Sequence, residues 1–109
     1  MQETQALTEL EKARSARSNG NEGMSRVLAR RAAGLSIRAY LQERNEALSE
    51  LSLNKLIKEE SVRYLLPPII HEELDRLCMR VDEKYQLPGD TDLIADAQTI
   101  LNILNGTGE

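Results

Sequence analysis

The segment "EGMSRVLARRAAGLSIRAYLQE", Glu22 to Glu43, constrains this chain more than any other. Wound as a helix at about 100° per residue, it places Leu28, Ala32, Leu35 and Ala39 on one wall. Ala29, Ala33, Ser36 and Tyr40 lie beside that wall, and Val27, Ile37 and Leu41 sit further round. Only a narrow strip holding Arg31, Arg38 and Gln42 is left for solvent. A helix apolar over most of its circumference belongs in the middle of its fold. The remaining segments must therefore cover it on several sides. Ala32, Ala33, Gly34 and Ser36 let neighbouring backbones come close. Gly34 costs about 1 kcal/mol relative to Ala in an exposed helix, so a tight helix contact is expected there.

The covering segments are legible on both sides. A first helix is expected from about Glu3 to Ser18, with Ala6, Leu7, Leu10, Ala13 and Arg17 on its inner stripe. Gly20 can end it in a left-handed cap, and Asn21 can then cap the central helix. "SLNKLIKEE" reads as a short helix capped by Ser52, with Leu53, Leu56 and Ile57 inward. Pro67-Pro68 interrupts the chain, and a third main helix is expected from about Pro68 to Lys84, with Ile70, Leu74, Leu77, Cys78 and Val81 on its stripe. After the break "QLPGDTD", Asp90 or Thr91 can cap a last helix, with Asp92 complementing its dipole. Its buried face is Leu93, Ile94, Ala97, Ile100, Leu101 and Leu104, and Gly106 lies past its end. With three Tyr and neither Phe nor Trp, the core is aliphatic, which suits helices on helices better than a β-sandwich. The sequence thus predicts an all-α antiparallel bundle, four main helices plus a short connecting one, forming a single domain over residues 1–109.

Charge narrows the functional classes. The net charge is −4, and residues 55–109 carry six Lys/Arg against eleven Asp/Glu. No dominant basic face is in prospect, so sequence-independent nucleic-acid binding is not favoured. No apolar run approaches the roughly 20 residues that span a bilayer, and the N-terminus lacks a signal-type apolar region. One cysteine excludes an internal disulfide, and a reducing, cytoplasmic setting is expected.

Candidate sites are few. His71 and Cys78 lie seven residues apart on one expected helix, but two ligands do not make a tetrahedral zinc site. No metal or other cofactor is expected; Cys78 is read as a buried thiol and His71 as a surface residue. Glu72 and Glu73 fit dipole complementarity at a helix start. The arginines of the central helix stand out. Arg26 and Arg30 are one turn apart, Arg44 returns to the same angle, and Ile37 and Leu41 lie near them. A basic strip bordered by aliphatic residues suits an interaction surface. It equally suits arginine stems that cover apolar surface and reach carboxylates of another helix, with Glu72, Glu73 and Asp75 as candidates.

The order of these features resembles the HEPN-like helical domains. "LTELEKARSARSNGNEGMSRVLARRAAGLSIRAYLQER" is similar to the family's first two helices. "SLNKLI" falls at its short central segment, and "DEKYQLPGDTDLIADAQTILNIL" resembles its Tyr-Pro-containing loop and last helix. The resemblance implies dimers, nucleotidyltransferase-type protein partners in toxin–antitoxin systems and, in active members, ribonuclease activity from Arg followed after four to six residues by His. Here seven residues separate Arg63 from His71, with Pro67-Pro68 between. The expectation is therefore a non-catalytic module acting through self-association or a protein partner, with Arg26, Arg30, Ile37, Leu41 and Arg44 at the interface. The alternatives are a divergent ribonuclease using Arg63 and His71, and a small RNA- or nucleotide-binding module using the arginine-rich helix.

Overall fold

The computed structural model describes residues 2–78 and 92–105, with side chains from 5 onward. Six α-helices and two 3₁₀ turns occur among them, with no strand. α1 is Gln2–Ser18 and α2 is Glu22–Glu43. A 3₁₀ turn, Ala47–Glu50, leads to α3, Leu53–Lys58, and α4, Glu60–Arg63. A second 3₁₀ turn, Pro68–Ile70, opens α5, His71–Leu77, and α6 is Leu93–Leu104. The expected all-α bundle is present.

Helix ends explain the path. α1 stops in a Schellman motif: the Gly20 N–H donates to Arg17 O and the Asn21 N–H to Ala16 O at 2.8 Å, with Gly20 at φ 80°. Asn21 then accepts from the Met24 N–H at 3.1 Å and starts α2. α2 ends in the same way, with Asn45 in the left-handed position at φ 57° and N–H bonds from Asn45 to Gln42 O and from Glu46 to Leu41 O. Ser52 caps α3, as expected. Glu59, extended at ψ 130°, separates α3 from α4, so the connecting helix is two short helices. The expected third main helix begins as the 3₁₀ turn after Pro67, and its described α-helical part ends at Leu77. Val81 and the expected caps Asp90 and Thr91 lie outside the described residues, as does Gly106. Asp92 itself caps α6, accepting from the Ile94 and Ala95 N–H groups at 3.1 and 3.2 Å.

α2 is central. α1 packs along it, α3 and α6 rest on other sides, and α6 also meets α5. Buried residues from all six helices form one cluster. The α1–α2 contact is lined by small side chains, with Ala6, Ala13, Ala29, Ala32 and Ala33 all fully buried. At Gly34 a Cβ would stand 3.0 Å from Leu53 Cβ and 3.2 Å from Leu53 O. The expected close contact is therefore made by α3. Leu7, placed on the inner stripe by spacing, is exposed instead.

Arginine links the helices. Arg17 holds Glu22 at 3.1 Å and Asp92 at 3.0 Å, joining the end of α1 to the starts of α2 and α6. Arg76 grips the buried Asp96 through Nε and Nη2 at 3.0–3.1 Å and fastens α5 to α6. Arg38, expected in solvent, is half-buried and donates to Ser49 O and Leu51 O, which holds the first 3₁₀ turn against α2.

Candidate functional site

The five residues expected at an α2 interface separate into four groups. Ile37 and Leu41 have no exposed surface. They belong to the core and cannot meet a partner. The single-helix wheel put them on the arginine side, and α2 is covered on that side too. Arg44 folds back on its own helix, 3.6 Å above the Tyr40 ring, with Nη1 donating to Tyr40 O. Arg30 is half-buried and its Nε donates to Leu77 O at 2.8 Å, meeting a carbonyl at the end of α5. Burial first, and then the nearby Arg26 charge, hold the Arg30 guanidinium below its ordinary pKa. Arg26 is half-buried on α2 and has no partner among the described residues. The carboxylates expected opposite these arginines are engaged elsewhere: Asp75 pairs with Arg63, and Glu73 with Arg76 at 3.6 Å. Glu72 is exposed.

The exposed part of α2 is its N-terminal half. Met24 and Val27 are 46% and 48% exposed and three residues apart, so they share a face. Val27 lines a shallow depression of about 360 Å³ with Arg30, Arg31, Leu53 and Asn54. Arg31 is only loosely engaged, 3.7 Å from Glu9 of α1.

A larger groove lies between α4 and α5. It encloses about 630 Å³ and is lined by Lys58, Glu60, Arg63, Tyr64, Leu66, Pro68, His71 and Cys78. Arg63 and His71 are brought together here, though not as a side-chain pair. His71 Nε2 lies 3.2 Å from the Arg63 carbonyl oxygen; because a carbonyl only accepts, that nitrogen carries the proton. The Arg63 guanidinium turns to Asp75, to Ile57 O at 3.4 Å and to Cys78 Sγ at 3.8 Å. The burial expected for Cys78 and the exposure expected for His71 are reversed: the thiol is exposed and the imidazole half-buried. Cys78 is the C-cap of α5 and keeps the helical bond from its N–H to Leu74 O at 3.1 Å.

Tyr64, Lys58 and Glu60 were not legible as site residues. The available signal was Tyr64 three residues before Pro67-Pro68, since a chain stopped there must turn and lay the next helix beside the last. Among the described residues, no group of three or more His, Cys, Asp or Glu side chains could hold a metal ion. No helix among them is long and apolar enough to cross a membrane. No protein-family model, no curated protein and no solved structure matches the chain.

Proposed function

We propose that the chain is a non-catalytic, HEPN-like helical module that works by association, as a homodimer formed through the N-terminal half of α2. One observation carries this reading. Met24 and Val27 stand exposed on one helix face beside the unpartnered Arg26, over a depression lined by further arginines. Exposed Arg–carboxylate pairs contribute only about 0–1 kcal/mol each. Met24 and Val27 therefore supply the association energy and the arginines set register, with exposed Glu72 of the second copy as an acidic complement. A two-fold axis, the commonest symmetry of soluble oligomers, uses such a face twice. A nucleotidyltransferase-type protein is the heterologous partner that the same face would serve.

Sedimentation velocity of the parent and of Val27→Glu tests the dimer. The parent should dimerise at micromolar concentration, and the variant should be monomeric with an unchanged melting temperature. A parent that stays monomeric at high micromolar concentration defeats the proposal; a dimer indifferent to Val27→Glu places the interface elsewhere.

A ribonuclease reading is supported by one specific observation, that Arg63 and His71 line the same groove. Against it, the guanidinium is occupied by Asp75 and backbone, and one imidazole nitrogen by a carbonyl. Without a free acid–base pair, purified protein should leave RNA intact. Cleavage abolished by His71→Ala would reverse that order of preference.

A further inference from the structure

The lining of the groove between α4 and α5 specifies a class of ligand. Its volume, about 630 Å³, lies within the roughly 300–1,000 Å³ typical of small-molecule sites. Leu66, Pro68 and the ring of Tyr64 make its apolar surface. Tyr64 is 88% exposed, unusual for an aromatic side chain.

The polar groups are unevenly satisfied. Asp75 already neutralises Arg63, yet the buried Arg63 Nε has no acceptor. Lys58 has no partner among the described residues. Because Arg63 Nε has no accessible surface, Lys58 is the donor that a ligand in the groove can reach, a cation without a partner among the described residues. Glu60, the carboxylate at the same rim, opposes a dianion. Among the described lining residues, a phosphate monoester would face one free positive charge, Lys58, and one negative one, Glu60. A singly charged acid with an apolar body meets both requirements.

We propose that this groove binds a small organic monocarboxylate, its body against Tyr64, Leu66 and Pro68 and its carboxylate on Lys58. The apolar wall supplies affinity, and Lys58, the free cation among the described lining residues, selects the charge of the head group. The ligand is a free acid of modest length.

Cys78 provides the readout. It is the chain's single cysteine, it is exposed, and it lines the groove. Alkylation of the native protein by iodoacetamide, followed by intact mass, reports whether the groove is filled. Octanoate should slow alkylation saturably. Acetate, which has the head without the body, should not. Octylamine, which has the body with the opposite charge, should protect far less. Lys58→Ala should raise the half-protecting octanoate concentration by about tenfold, the order of one charge-assisted hydrogen bond. Tyr64→Ala should weaken protection by octanoate as well. Both positions are exposed, so circular dichroism and melting temperature should match the parent. Absence of protection by octanoate, equal protection by octylamine, or an unchanged response in Lys58→Ala would each overturn the proposal.

Discussion

Gly34 and Leu53 meet at a distance that leaves no room for error. A Cβ on residue 34 would lie 3.0–3.2 Å from both the side chain and the carbonyl oxygen of Leu53. Backbone cannot step aside as a side-chain tip can. Overpacking of this kind costs about 1–3 kcal/mol, so Gly34→Leu should lower the melting temperature clearly; a variant as stable as the parent would mean that α3 is free to move away. The need for a small residue here was legible in the run Ala32 to Ser36. The identity of its neighbour was not, because helical periodicity says which face is crowded and nothing about what crowds it. Asn45 illustrates the reverse case. It holds a left-handed conformation at φ 57° that is not legible in the sequence, since asparagine does this less often than glycine and only the two bonds closing the motif reveal it.

At the scale of helices, the caps do more than end elements. Partial burial alone would raise the Asp92 pKa, but the Ala95 N–H and then Arg17 outweigh it, and the carboxyl sits below its ordinary range. A carboxylate depressed in the folded state stabilises the fold fully above its unfolded pKa, near 3.9. That contribution is lost as pH falls through the lower folded value. Asp92→Asn keeps the cap acceptor and removes the charge. The parent should therefore lose melting temperature more steeply than Asp92→Asn as pH is lowered from about 4 to about 2. Parallel curves would show that the Arg17 contact carries no stability. Cap positions at Gly20, Asn21 and Ser52 were legible because a few residue types suit them. The division of residues 53–63 into α3 and α4 was not, since Glu59 is no helix breaker and only tertiary packing asks it to extend.

At the scale of the fold, one cluster of buried side chains joins all six helices among the described residues. This settles what Ile37 and Leu41 do. Spacing on one helix placed them beside arginines, which suggested a surface; the bundle wraps α2 on that side as well. Ile37→Glu should thus abolish cooperative unfolding or prevent folding, since an unpaired buried charge costs several kcal/mol. A soluble, well-folded monomer from that variant would mean the side chain is accessible after all. The α4–α5 groove escaped sequence reading for a related reason. Its lining comes from positions 58 to 78 across two turns, and no local pattern connects Lys58 with Cys78.

The Arg17 contacts differ greatly in the length of chain they close. Glu22 is five residues away and Asp92 is seventy-five. Closing the short loop costs little entropy, so the α1–α2 hairpin can form early and rapidly. The α6 contact must wait for a much longer excursion. Removing the Asp92 side chain should therefore leave the refolding rate nearly unchanged and hasten unfolding, as for contacts absent from a transition state. The same guanidinium should thus act first in the hairpin and later in retaining the last helix.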